Sequence, residues 1–157
     1  MLLIKELNKG KVGESISLAG WLRTKRDSKG GFSFLEINDG SSFKGIQIIA
    51  DQSLSNYDDI KSLHTGASLK ITGKLVESQG KGQAFEVQAD SVLIYGNTDQ
   101  TYLLQKGRIN FETLRESAHL RCRTNSFGAV MRVRNQLSKA THDFFQNRHF
   151  LNLHTPI

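Results

Sequence analysis

GWLRTKRDSKGGFSFLEINDGSSFKGIQII, residues 20–49, decides how the rest of the chain is read. It joins the end of one alternating apolar run to two more, with a turn signal at each break. The first run, residues 15–25, sets Ile16, Leu18, Trp21 and Leu22 among small and polar residues. Gly30-Gly31 interrupts it. Residues 32–37 and 45–50 are two further strand-like stretches, and Asn38-Asp39-Gly40 between them is a strong turn signal. Side chains two apart on a strand share a face, so Phe32 pairs with Phe34 while Ser33 and Leu35 point the other way.

Beyond this stretch, residues 55–63 read as a short helix. Ser55 or Asn56 stands where a cap belongs, and Asp58 and Asp59 suit the positive end. Residues 68–76 and 84–95 complete a set of five strands, with a flexible loop at 78–82. Three strands, a helix and two strands is the order of the OB-fold, a Greek-key barrel whose second and third strands face oligonucleotides or oligosaccharides. Residues 97–105 are polar and read as a linker. The period then changes: Val130, Val133, Leu137, Ala140 and Phe144 mark one face of a long helix, which Thr124, Asn125 or Ser126 caps. Residues 150–153 turn extended and lead to Thr155-Pro156. The expected organisation is mainly β: a barrel over 1–96, a hinge over 97–125, and over 126–157 the start of a further α+β domain that the chain does not complete.

Charge is unevenly spread. Residues 1–96 carry 12 Lys/Arg against 11 Asp/Glu, while residues 97–157 carry 9 against 4. The barrel's positive charge gathers at Arg23, Lys25, Arg26 and Lys29. The second part holds Arg108, Arg115, Arg121, Arg123, Arg132 and Arg134. Polyanions such as nucleic acid are plausible partners for that distribution. The single cysteine, Cys122, excludes an internal disulfide and a cysteine-based zinc site. No run is long and apolar enough to span a bilayer, and no secretory signal is legible at the start. A cytoplasmic protein is expected.

Several residue types suited to unpaired bases fall on adjoining strands. A phenylalanine can stack on a base, a glutamine amide can both donate to and accept from a base edge, a glutamate can only accept, and an arginine fork can hold a phosphate or carbonyl. Phe34, Gln47, Glu86 and Arg26 are the candidates, with Arg23, Lys25 and Lys29 as backbone contacts. Each has a plainer reading. Phe34 fits core as well as platform, Phe32 fits core better, Gln47 fits a solvent face equally, and residues 23–29 fit an ordinary solvated hairpin. No nucleophile elbow, phosphate loop or histidine pair is present, and nothing places Asp27 beside Glu36 as an acid/base pair. No catalytic or metal site is expected.

The same stretch, followed by TGASLKITGKLVESQGKGQAFEVQADSVLIYG and then FETLRESAHLRCRTNSFGAVMRVRN, resembles the anticodon-binding barrel of class IIb aminoacyl-tRNA synthetases, the asparaginyl branch above all. The resemblance covers essentially the whole chain. It implies recognition of an asparagine-type tRNA: Phe34 stacking on a central anticodon uridine, Gln47 bonding its edge, Arg26 touching that base or the adjacent backbone, and Glu86 near a neighbouring base. FFQNRHFLNLHTP resembles class II motif 1, with Phe144, Phe145, Phe150 and Pro156 in a homodimer interface. Motifs 2 and 3 are absent. The resemblance thus implies a chain that does not catalyse alone, with ATP and magnesium needed only by the complete enzyme. A sequence-tolerant single-strand binder and a non-binding remnant are the alternatives. Leu103, Gly107, Ile109 and Cys122 depart from the family's usual residues, all in the hinge and its continuation.

Overall fold

The computed structural model describes residues 1–80, 82–105, 107 and 109–156. Arg108, Lys81 and Ile157, which figure in the sequence reading, lie outside the described residues. The chain forms two compact units, Met1–Ile109 and Asn110–Ile157.

In the first unit, five strands carry the alternation expected of them: β1 (Ser15–Asp27), β2 (Phe32–Asn38), β3 (Ile46–Asp51), β4 (Ser68–Glu77) and β5 (Phe85–Gly96). They close into a barrel in the order β1-β2-β3-β5-β4. All neighbours are antiparallel except β3 and β5. Closure pairs every strand on both sides and leaves no open edge. One face of each strand supplies the core: Leu18 and Leu22, Leu35 and Ile37, Ile48 and Ala50, Leu69 and Ile71, and Val87 are all buried. Gly73 sits where β4 and β5 change register, and a Cβ there would lie 2.1 Å from the Gln88 carbonyl oxygen. Only glycine lets the two backbones come so close.

The interstrand helix is shorter than the pattern suggests. α1 spans Tyr57–Lys61 and is held mainly by Ile60, which is fully buried. Asn56 stands at its cap, but its amide donates to the Val92 carbonyl (2.8 Å) on β5 instead of closing the helix end. An unforeseen 3₁₀ turn, Ile4–Lys9, brings Ile4 and Leu7 into the barrel core. Its entry is pinned to the β2–β3 turn. The Ile4 N–H donates to Asp39 Oδ2 (2.8 Å), and the Lys5 N–H to Ser41 Oγ (3.1 Å). The expected linker at 97–105 is stitched to the barrel as well. Asn97 Oδ1 accepts from the His64 N–H (3.0 Å), and the Thr98 hydroxyl donates to the Thr65 carbonyl (2.8 Å).

The second unit holds α2 (Phe111–Glu116), a 3₁₀ turn (Arg121–Arg123) and the 22-residue α3 (Asn125–Gln146). Asn110 caps α2 by accepting from the Thr113 N–H (2.7 Å). Thr124 stands at the start of α3, but its hydroxyl donates to the Arg121 carbonyl (2.7 Å) rather than capping. The expected apolar face is real and exposed: Val130, Val133, Leu137, Ala140 and Phe144 all meet solvent. Phe145 stands edge-on to both Phe144 (5.3 Å between centroids) and Phe150 (5.7 Å), and the Arg148 guanidinium lies 3.7 Å from the Phe144 ring centroid. Residues 150–156 join no sheet.

Candidate nucleic-acid interface

The outer face of β1, β2, β3 and β5 is read most simply from its register. Arg26 lies opposite Phe34, Phe34 opposite Ile49, and Ile49 beside Gln88. One step along the strands, Thr24 lies opposite Glu36, Glu36 opposite Gln47, and Gln47 beside Glu86. The barrel interior takes the alternate residues, so these two cross-strand rows share one surface. Arg26, Phe34, Gln47 and Glu86, chosen separately from the sequence, therefore fall on one contiguous patch.

Arg26 and Phe34 are in direct contact. The guanidinium carbon sits 4.9 Å from the ring centroid, a cation–π arrangement. Phe34 is half-buried, and Phe32, two residues away on the same face, is exposed. This corrects the core reading of Phe32. The inward set of β2 is Ser33, Leu35 and Ile37, all fully buried. Ser33 is tolerated inside because its hydroxyl donates to Asp27 Oδ1 (2.7 Å) and lies 3.2 Å from the Tyr57 hydroxyl. Gly31, with a φ of 81° in the β1–β2 turn, takes a left-handed conformation that a side chain would strain.

Glu86 is not open to solvent: 4% of its surface is exposed. The loop between β4 and β5 covers it. The Ser78 hydroxyl and Gln83 Nε2 (3.1 Å) both donate to Glu86 Oε1. Among the three cations suggested as backbone contacts, Lys25 turns to the other side of β1. Its ammonium donates to the Lys61 carbonyl at the end of α1 and sits 3.7 Å from Asp27. Lys29 is exposed on the β1–β2 turn, and Arg23 is partly exposed where β1 is irregular. Asp27 and Glu36 are not brought together, since Asp27 pairs with Ser33 and the Glu36 carboxylate accepts from the Thr24 hydroxyl (3.1 Å).

A family model for the tRNA anti-codon OB-fold nucleic acid binding domain matches residues 16–95, the whole barrel. The chain belongs to that family. Asparagine–tRNA ligase from Nostoc sp. is 55% identical over 153 residues, covering 96% of this chain and 33% of that protein. The ligase from Rhodopirellula baltica is 54% identical over 144 residues, covering 90% of this chain and 29% of its own length. The chain is a homologue of these ligases and spans about a third of their length. Among solved structures, asparaginyl-tRNA synthetase from Pyrococcus horikoshii complexed with asparaginyl-adenylate shares the fold, with a TM-score of 0.83 at 20% identity over 99% of this chain and 36% of that one.

Within this OB-fold domain, Ile49, Gln88, Ser78 and Gln83 belong to the patch or its border and were not singled out by sequence. The alternation of β3 and β5 already placed Ile49 with Gln47 and Gln88 with Glu86. Ser78 and Gln83 gave no signal, because their contact depends on how a loop folds back. Beyond Gln88 a shallow hollow is lined by Asp51, Ser53, Asn56, Asp90 and Ser91. Hydrogen bonds from the Ser53 amide (2.8 Å) and hydroxyl hold the Asp51 carboxyl below its ordinary range. Two carboxylates make this end of the surface unfavourable for phosphate.

Proposed function

We propose that the chain binds tRNA by its anticodon loop, with one unpaired base laid on Phe34. The observation that carries this is the Arg26–Phe34 pair at 4.9 Å with Gln47 one row away. A half-buried ring offers a base its face, and stacking of this kind contributes about 1–3 kcal/mol per base. Gln47 then meets the base edge, and its amide complements the N–H and carbonyl of uridine. Arg26 holds the base or its phosphate, and Arg23 and Lys29 lie on the same hairpin for the adjoining backbone. The acidic hollow beyond Gln88 directs phosphates toward that basic hairpin. Glu86, in register with Gln47 but covered by the β4–β5 loop, stands on the side of a neighbouring base.

In this proposal the partner is an asparagine-type tRNA with a central anticodon uridine. The recognition serves ATP-dependent attachment of asparagine by the whole ligase, to which ATP and magnesium belong. The exposed apolar face of α3 with Phe144, Phe145 and Phe150 suits pairing with a second copy.

Binding of anticodon stem–loops checks the reading. Changing the central uridine to adenosine should weaken binding about tenfold or more, the size of one or two lost hydrogen bonds with a poorer fit. Phe34→Ala should cost about 1–3 kcal/mol of affinity and leave the fold intact. Equal affinity for the two RNAs would overturn specific recognition. Equal affinity for unrelated single-stranded DNA would make the barrel a sequence-tolerant binder.

A further inference from the structure

A carboxylate stands in the middle of the basic hairpin. Residues 23–29 are RTKRDSK, and Asp27 follows directly on Arg26. Its charge opposes a phosphate, so a hairpin that faces RNA gains no attraction from it. Its neighbours give it another task. Asp27 lies opposite Ser33 and Lys25 opposite Leu35, the rungs on either side of Arg26–Phe34. Strand alternation turns those two rungs to the barrel side, while Arg26 and Phe34 face outward.

On that rear side a chain of polar contacts joins the hairpin to α1. The hydroxyl of the buried Ser33 donates its one hydrogen to Asp27 Oδ1 (2.7 Å). Its oxygen is left to accept from the Tyr57 hydroxyl (3.2 Å). The Lys25 ammonium donates to the Lys61 carbonyl. Tyr57 and Lys61 are the first and last residues of α1, which Ile60 fixes in the core. Both ends of the helix thus hold the two rungs that flank Arg26–Phe34. We propose that Asp27, Ser33 and Tyr57 are positioning residues that brace the β1–β2 hairpin from behind, so that the Arg26–Phe34 pair meets an unpaired base already aligned. This rests on the anticodon reading above. A braced pair loses less freedom on binding, which is how pre-organisation raises affinity. In this role Asp27 serves through its acceptor oxygen. Its charge adds little, because Lys25 lies 3.7 Å away and the Asp27 side chain is 46% exposed.

The test uses the full chain and an anticodon stem–loop with uridine at the centre, with dissociation constants read by fluorescence anisotropy and folding by urea. Attraction alone has Asp27→Ala binding the RNA more tightly, since one negative charge is gone. The brace has it binding about three- to tenfold more weakly, the cost of reordering one or two interface side chains. Asp27→Asn also drops the charge but keeps an oxygen toward Ser33, and should bind at least as tightly as wild type. Tyr57→Phe, which removes only the far hydroxyl, should weaken binding about threefold. Phe34→Ala should cost less in the Asp27→Ala chain than in wild type, because the ring it removes is no longer held in place. An Asp27→Ala chain that binds as tightly as wild type, or more tightly, would overturn the proposal. So would an Asp27→Asn chain that weakens as Asp27→Ala does, or a Phe34→Ala loss of equal size in both backgrounds, since the network would then serve the fold alone. Should Asp27→Ala be unfolded without urea, Tyr57→Phe decides: wild-type affinity in that variant overturns the brace. A wild-type chain with no central-uridine preference, or with no loss on Phe34→Ala, would instead overturn the anticodon reading, and this inference with it.

Discussion

The barrel and the segment after it treat apolar side chains in opposite ways. In residues 1–109 the alternating runs converge on one interior, and Leu18, Leu35, Ile48 and Ile71 lose all contact with solvent. In residues 110–157 the helical period is as clear, yet among the described residues Leu114 is the only buried hydrophobic side chain. Val133 and Leu137 on α3 are 58% and 63% exposed. The two patterns were equally legible. What differs is closure: a five-stranded sheet can curl on itself and bury its own inner face, whereas a single helix needs another element to cover its stripe. Periodicity tells which face is apolar and is silent on what covers it.

The sharpest way to break that contrast is to empty the barrel core. Leu35→Ala removes a fully buried side chain from the middle of β2. Deletions of this kind cost about 3 kcal/mol, through lost transfer energy and the cavity left behind. Urea unfolding followed by tryptophan fluorescence suits the measurement, because the single Trp21 lies on β1. A loss below about 1 kcal/mol would mean that the barrel interior is loosely packed and that the two units differ less than their burial suggests.

How much was visible beforehand follows the same line. The five strands, their order and the helix between the third and fourth came from alternation and turn residues, because a closed barrel obeys both. Phe32 was misjudged for a definite reason. Alternation put it on the face of Phe34 but did not say which face was inward, and the inward set includes Ser33, whose polarity hid its burial. The Ile4–Lys9 turn was missed because a few residues of 3₁₀ structure carry no period, and its anchor is the side chain of Asp39, 35 residues away. Arg26, Phe34 and Gln47 were singled out for chemistry carried on the residues themselves, and the strand register sets them on one surface. Lys25 shows the limit of that approach. Its charge suggested a phosphate contact, while its place on the opposite side of β1 ties it to the end of α1.

The Asp39 anchor makes part of the barrel sensitive to acid. Burial works against its charged form, but hydrogen bonds from the Ser41 hydroxyl and from the Ile4 and Ser41 amides outweigh it and lower its pKa from 3.8. A carboxyl with a depressed folded pKa contributes stability that is present above its unfolded value and is lost as pH falls through the folded one. Urea stability should therefore drop as pH is taken below 3.8, and Asp39→Asn should drop less steeply. Asp51, Asp58 and Asp99 are lowered too and keep some slope in the variant. Amide exchange at Ile4 and Lys5 should quicken over the same range, before exchange in the core strands. Identical pH slopes for wild type and variant would remove Asp39 from this role.

The smallest expected effect tests the other half of the contrast. Leu137→Ala removes the same atoms as Leu35→Ala, but from a side chain that is 63% exposed. Little is lost from water exclusion, and alanine has the better helix propensity, so the change in stability should stay within about 0.5 kcal/mol. That holds for a chain whose α3 stays uncovered in solution. If the cost exceeds about 1 kcal/mol, Leu137 is covered by something, and protein concentration tells by what. A cost that grows with concentration, together with a larger hydrodynamic radius, means that a second copy packs on α3. A cost independent of concentration means that the helix finds its cover within its own chain. Either result would show the missing closure being supplied, and would turn the difference between the two units from one of burial into one of where the covering surface comes from.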